Sequence, residues 1–353
     1  MRANITVLAG DGIGPEVTNA AVTLLKEIAH RKGHAFTFQE ALFGGCAIDA
    51  MGDPFPPETV SACENAAAVL LGAVGGPRWS SPSAKVRPEQ GLLRLRKHFG
   101  LFANLRPVRA YPALAQFAPL RADLLEGVDI LFVRELTGGI YFGVRQEEGD
   151  SGSAFDTLEY SVDEVERVAH VAFRAAGRRR GKLTSVDKAN ILATSRLWQR
   201  AVTRLSADYP EVTLDHMLVD AFAMQMLRTP NRYDVVVTEN MFGDILTDES
   251  AVLAGSLGML PSASLGAGTF GVYEPIHGSA PDIAGQGIAN PTGTILSAAM
   301  LLRFSLNLED EAQMLEAAVD RAIQAGARTK DIAGAGEKAF STTEFTEAVL
   351  AAL

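Results

Sequence analysis

Ile5-Thr6-Val7-Leu8-Ala9-Gly10-Asp11-Gly12-Ile13-Gly14-Pro15-Glu16 reads as a buried strand, a glycine turn and the opening of a helix. The apolar run from Ile5 to Ala9 has strand length, and the helix continues to about Arg31. Pro15 suits the first turn of that helix, where a missing N–H costs nothing. The spacing is GxGxG followed by Pro-Glu, not GxGxxG. No clear βαβ unit with an acidic residue about 20 positions on supports a dinucleotide fingerprint, and Glu40 lies too far along to serve as one. The turn therefore reads as a tight bend under a functional cleft, not as a Rossmann phosphate loop.

Working outward, strands keep alternating with helices. Ala67 to Leu71 is a second apolar strand, stopped by Gly72 and Gly75-Gly76-Pro77. Residues 91–98 form a short basic helix, and Leu101 to Leu105 a short strand ending near Pro107. Asp129 to Arg134 is strand-like and runs into a Gly-rich excursion from Thr137 to Gly143. Helices are expected over Val162 to Ala176, Leu192 to Ala207, up to Leu227, Ala251 to Leu257 and Thr292 to Leu306, and over 309–325 and 342–352. Asp163 and Glu164 suit the first turn of the helix that starts at Val162. Between these helices, Lys182 to Val186 and Tyr233 to Thr238 are strands, Val212 to His216 is extended, and Gly258 to Gly271 is loop and strand. This order predicts an α/β protein.

At 353 residues the chain exceeds the size at which one core stops growing, so two domains are expected. A net charge of −10 argues against broad wrapping of nucleic acid, and the basic run Arg178-Arg179-Arg180 reads as a solvated turn. Cys46 and Cys63 lack the spacing of a disulfide framework or a thiolate metal site. No apolar stretch reaches the roughly 20 residues needed to span a bilayer, and no signal pattern opens the chain, so a cytoplasmic enzyme is expected.

Several residues carry chemistry. Arg96, Arg106 and Arg134 each stand beside apolar residues at the end of an element. Converging guanidinium forks would hold a substrate with two carboxylates, but from spacing alone separate surface or salt-bridge arginines are the favoured reading, because convergence is invisible in sequence. Asp244 and Asp248 are four apart, which on a helix puts both carboxylates on one face. Such a pair suits an oxygen-liking cation such as Mg²⁺ or Mn²⁺, with helix-capping acids as the alternative. Asp220 follows the apolar pair Leu218-Val219, an odd place for an unpaired charge. Lys188 at a strand end is a candidate base or a plain solvent charge, and Tyr141 a candidate proton donor or a packing residue. The loop Glu274-Pro275-Ile276-His277-Gly278-Ser279-Ala280-Pro281-Asp282-Ile283-Ala284-Gly285 offers close backbone approach, an imidazole for an adenine and a carboxylate for ribose hydroxyls. That carboxylate would repel a 2′-phosphate, so a dinucleotide bound there should be NAD.

Taken together, these segments resemble the β-decarboxylating dehydrogenases, the family of the isocitrate and 3-isopropylmalate enzymes. The resemblance runs from Gly10-Asp11-Gly12-Ile13-Gly14-Pro15-Glu16 to the last helices, and it is most specific at Asn240-Met241-Phe242-Gly243-Asp244-Ile245-Leu246-Thr247-Asp248 and at His277 to Asp282. It implies a two-domain fold with a parallel or mixed central sheet, distinct from the Rossmann fold. Residues 1–100 plus 253–353 would form a discontinuous NAD-binding domain. Residues 101–252 would form a dimerisation and metal/substrate domain with a β-arm near 140–160. It also implies Arg96, Arg106 and Arg134 as substrate clamps, Tyr141 as the acid that protonates the enolate, and Lys188 as the residue moving the proton at the C2 hydroxyl. Asp220, Asp244 and Asp248 would be metal carboxylates, Lys188 and Asp220 being lent across a homodimer with shared active sites. His277, Gly278, Ser279, Ala280, Pro281, Asp282, Ile283 and Asn290 would form the NAD site, with Glu89 near the nicotinamide. Leu92 and Leu93 stand where isocitrate-specific relatives carry polar residues. Leucine covers an isopropyl group and cannot solvate a third carboxylate, which points to the 3-isopropylmalate branch and leucine synthesis. D-malate, tartrate and homoisocitrate remain the neighbouring substrates.

Overall fold

A computed structural model describes residues 1–81, 83–149 and 152–353. Its strands are β1 (Arg2–Gly10), β2 (Ala35–Glu40), β3 (Ala68–Ala73), β4 (Ala103–Arg109), β5 (Asp129–Glu135), β6 (Arg145–Gln146), β7 (Phe155–Asp156), β8 (Lys182–Asp187), β9 (Thr213–Leu218), β10 (Val235–Thr238), β11 (Pro261–Leu265) and β12 (Gly271–Pro275). Ten of them form one mixed sheet in the order β2-β1-β3-β12-β11-β4-β5-β10-β8-β9, and β6 and β7 form a small separate ribbon. The helices are α1 (Gly14–Lys32), α2 (Gly45–Met51), α3 (Pro57–Glu64), α4 (Pro88–His98), α5 (Ala122–Leu125), α6 (Val162–Gly177), α7 (Ala193–Leu205), α8 (Val219–Arg228), α9 (Asn240–Glu249), α10 (Ala251–Ala254), α11 (Thr292–Phe304), α12 (Glu309–Gln324) and α13 (Thr342–Ala352).

The α/β expectation holds, and the physical reasons are local. β3 and β10 are buried along their whole length, as strands covered on both faces must be, and both are dominated by apolar residues, β10 by Val235 to Val237. β2 alternates intermediate and exposed positions because it is the sheet edge. α11 is buried from Thr292 to Leu302, which fits a stretch whose few polar side chains are small hydroxyls among apolar residues. α1 has Pro15 in its first turn and stops at Gly33, whose φ of 69° is the left-handed cap that glycine adopts without penalty. α6 opens on a capping box, the Ser161 and Glu164 side chains each satisfying the other's backbone N–H.

Two expectations need correction. β1 and β2 pair in parallel around α1, so a βαβ unit is present. It was hidden because β2 is short and half-solvated. The helix expected over Ala251 to Leu257 stops at Ala254, because Gly255 turns left-handed at φ 93° before a short 3-10 turn at Leu257–Met259. The ribbon of β6 and β7 lies where the β-arm was expected, with Asp150 and Ser151 outside the described residues. Among the described residues no helix is long and apolar enough to cross a membrane.

The sheet order sets up the site. Strands from residues 1–100 and 253–353 fill one side, β2-β1-β3-β12-β11, and strands from the middle of the chain fill the other. The two sets meet where β11 pairs antiparallel with β4, through Ala263↔Leu105, Ser264↔Asn104 and Leu265↔Ala103.

Candidate active site

Next to that junction lies a cleft of about 400 Å³, lined by Glu89, Leu92, Leu93, Arg96, Arg106, Arg134, Tyr141, Asp244, Glu274, His277 and Gly278, among others. Strand register explains part of the convergence. Asn104 lies opposite Arg134 and Arg106 opposite Phe132, so the two arginines, on neighbouring strands, project from the same face of the sheet. Arg96 reaches the cleft from the last turn of α4, and Asp244 from α9. The three arginines, distant in sequence, are therefore one cluster, and all three are buried.

Each guanidinium is oriented by groups that the sequence did not mark. Arg96 Nη2 donates to Glu274 at 3.1 Å, while its Nε is buried without a partner among the described residues. Arg106 Nε donates to Asn104 Oδ1 at 2.6 Å, and Asn104 is braced by Ser264 on β11. Arg134 donates through Nε to the Asn240 carbonyl and through Nη2 to Asn240 Oδ1, both at 2.8 Å. Asn240 also donates from its side chain to the Gly138 carbonyl at 3.0 Å, so it ties the arginine to the loop that carries Tyr141. Glu274, Asn104 and Asn240 are buried polar residues whose side chains are satisfied within this cluster.

Asp244 is the electrostatic centre. It accepts from Arg134, from Arg106 at 3.4 Å and from the Tyr141 hydroxyl at 2.9 Å. Burial pushes its carboxyl up, but the Arg134 and Arg106 charges outweigh it and hold the group below the usual carboxylate range. Tyr141 moves the other way: burial and the neighbouring Asp244 charge push its phenol up to about 12, so it keeps its proton at neutral pH. Burial, then the nearby Arg106 charge, draws Arg134 down to about 10. Asp248, one turn on from Asp244, stands 3.8 Å from Arg106 at the rim. Burial raises its carboxyl, and the Asp244 charge adds to the effect.

The 277–283 loop closes the other side. His277 Nδ1 donates to the Gly278 carbonyl at 2.9 Å, leaving Nε2 buried without a partner among the described residues. Burial depresses its pKa, so that nitrogen is a free acceptor at neutral pH. Gly278 faces open space at the cleft wall. Ser279 is buried against the Gly12 turn, Ala280 and Ile283 pack on Ile13 and Val17, Pro281 and Asp282 are exposed, and Asn290 is buried beside Asp331.

Lys188 and Asp220 are not part of this cleft. They pair with each other at 2.6 Å, with Asp220 largely exposed. Among the described residues no three acidic, histidine or cysteine side chains of the one chain form a metal cluster. A second cavity of about 330 Å³ lies against Pro107, Arg109, Asp129 and Leu131, the alternate positions of β4 and β5 and hence their other face. Its Arg303 is spent on Glu309 and Glu316, and its Arg109 on Asp320. The first cleft is the one with unpaired donor capacity.

An α/β fold with a buried arginine cluster, a protonated tyrosine and a cleft at the junction of two sheet halves defines a binder and transformer of small polycarboxylic acids. The chain belongs to the isocitrate/isopropylmalate dehydrogenase family, whose model matches residues 4–349. It is 60% identical over 337 residues to the 3-isopropylmalate dehydrogenase of Anaeromyxobacter dehalogenans, covering 95% of this chain and 96% of that one. It is 57% identical to the enzyme of the same name from Rhodopirellula baltica, covering 100% and 99%. Among solved structures, isocitrate dehydrogenase from Methylococcus capsulatus superposes with a TM-score of 0.87 at 32% identity, covering 99% of this chain and 98% of that one.

Proposed function

We propose that the chain catalyses the NAD-dependent oxidative decarboxylation of 3-isopropylmalate to 2-oxo-4-methylpentanoate, a step of leucine synthesis, as a cytoplasmic homodimer. The observation that carries this reading is one cleft holding both an apolar wall, Leu92 and Leu93, and the arginine cluster around Asp244 and Tyr141. The unpaired Nε of Arg96 fits a substrate carboxylate, and leucines beside it favour an isopropyl group over a third carboxylate.

His277 Nε2 and the open wall at Gly278 fit an adenine edge, with Ser279, Ala280, Pro281, Asp282, Ile283 and Asn290 completing the dinucleotide site and Glu89 at its nicotinamide end. Asp282 at the ribose would disfavour a 2′-phosphate, hence NAD over NADP. NAD, held there, would supply the acceptor for the hydride that leaves C2. Asp244 and Asp248 provide an all-oxygen donor set suited to Mg²⁺ or Mn²⁺, with Asp220 contributed by a second protomer. The ion, when bound, supplies Lewis-acid polarisation of the substrate oxygens. Support for the dimer comes from the outward Lys188–Asp220 pair and from exposed Ile191, Met224 and Ile245 on the same part of the chain.

The chain's own groups then divide the work. The arginines bind and orient the two carboxylates. Lys188 of one protomer takes the C2 hydroxyl proton as hydride leaves. The C3–carboxylate bond breaks, its electrons forming the enolate, and Tyr141 gives a proton to C3. The proton taken by Lys188 balances the proton given by Tyr141, so substrate and NAD⁺ yield keto acid, CO₂ and NADH. In this reading residues 1–100 plus 253–353 form the NAD-binding domain and 101–252 the dimerisation and metal/substrate domain. The test is turnover of 3-isopropylmalate before and after chelation. Equimolar NADH and CO₂, abolished by EDTA and restored by Mg²⁺ or Mn²⁺, are expected; turnover untouched by EDTA would remove the metal role.

A further inference from the structure

Asp11, in the turn between β1 and α1, does not line the cleft, yet it is buried and fully engaged. Its Oδ2 accepts from the N–H groups of Gly45 and Gly75, and its Oδ1 from that of Cys46, all at 2.8 Å. Its own N–H donates to the Ala73 carbonyl, also at 2.8 Å. One residue thus clasps both ends of segment 73–75, of which Ala73 and Val74 line the cleft. Gly75 closes on the proposed nicotinamide end: a Cβ there would lie 3.1 Å from the Glu89 carboxylate.

The same turn also carries the dinucleotide loop. Ile13 N–H donates to the Ser279 carbonyl at 2.8 Å. A Cβ on Gly12 would lie 1.9 Å from that oxygen, so only glycine lets the two loops meet. The Asp11 and Ile13 N–H groups of the turn are thus spent on Ala73 and Ser279, and that of Gly14 on the Asp11 carbonyl. The turn joins two segments that are more than 200 residues apart.

We infer that Asp11 is a positioning residue for cofactor binding, its carboxylate setting segment 73–75 and, through the turn, the 277–280 loop to receive the dinucleotide. The inference rests on the reading of that loop as the NAD site. Charge-assisted bonds to three amides are short and strong enough to fix two segments relative to each other. The substrate arginines hang from β4, β5 and α4, elements that Asp11 does not bond.

The test is separate titration of purified wild type, D11A and D11N with NADH, by fluorescence, and with 3-isopropylmalate plus Mn²⁺, by calorimetry, with a melt for each variant. D11A should weaken NADH binding about tenfold or more, roughly 1.4 kcal/mol, and substrate binding under about threefold. D11N can place its one carbonyl oxygen at the Oδ2 position, keeping the bonds to Gly45 and Gly75, and should recover most of the NADH affinity. If D11A does not fold, D11S carries its expectation, because a hydroxyl is too short to span both segments. NADH affinity within about twofold of wild type in a folded D11A or D11S overturns the role of Asp11, as does equal loss of both ligands or a D11N as weak as D11A. Wild type that binds no NADH overturns instead the reading of the 277–283 loop, and this inference with it.

Discussion

At the scale of single residues, the account turns on Tyr141. Its phenol is protonated at neutral pH and hydrogen-bonded to Asp244, the state a proton donor to C3 requires. Replacing it with phenylalanine removes the donor and leaves the arginines and Lys188 in place. Y141F should therefore slow keto-acid formation by about 10²-fold or more while affecting hydride transfer less, as single-turnover NADH absorbance against enzyme-coupled detection of the released keto acid would show. Equal slowing of both steps would mean that Tyr141 acts by binding alone. Arg96, Arg106, Arg134, Tyr141 and Asp244 could be picked out by residue type and local setting, but their convergence could not, because it is made by strand register and by partners more than a hundred positions away. For the same reason Asn240 and Glu274 stood inside segments that could be singled out, but their work of aiming Arg134 and Arg96 could not be read.

At the scale of elements, the signals that could be read were those with local causes. Pro15 and Gly33 bracket α1, and Ser161 with Glu164 starts α6. β2 went unread because its half-exposed six residues lack an apolar run, and the true start of α4, at Pro88, lies ahead of its apolar residues. Between α11 and α12, Arg303 binds Glu309 and Glu316, and its hydrogen bond holds Glu309 below the ordinary carboxylate value. A carboxylate depressed in the folded state contributes stability above its unfolded pKa, near 4.3, and loses it as pH falls through the folded value. E309Q should thus melt lower than wild type at pH 7 and lose less melting temperature on going below about pH 4. Parallel melting curves across that range would show that the pair contributes nothing. The effect is expected to be small, since Glu309 is half exposed.

At the scale of the whole molecule, the α/β order of the strands was legible in the residues themselves, whereas a division between chain ends and chain middle was expected only from the resemblance, because strand order is made by pairing between distant segments. In the proposed reading one chain does not complete its site, because Lys188 and Asp220 pair with each other outside the cleft. If two protomers exchange these residues, two inactive variants should complement each other. Mixing K188M with R106M by co-expression should recover about a quarter of wild-type activity, from one intact site in each heterodimer and random pairing. No recovery from heterodimers isolated with distinct affinity tags would contradict shared sites.

The most direct test of the central claim is the specificity constant for NADH formation with Mg²⁺ or Mn²⁺, measured for 3-isopropylmalate against isocitrate, D-malate and tartrate, with NADP as the competing cofactor. A leucine wall facing an arginine cluster predicts a preference for 3-isopropylmalate with NAD of about 10²-fold or more over isocitrate, whose third carboxylate would lie unsolvated against Leu92 and Leu93. A preference for isocitrate, D-malate or tartrate would contradict that assignment of the wall, and a preference for NADP would contradict the role given to Asp282.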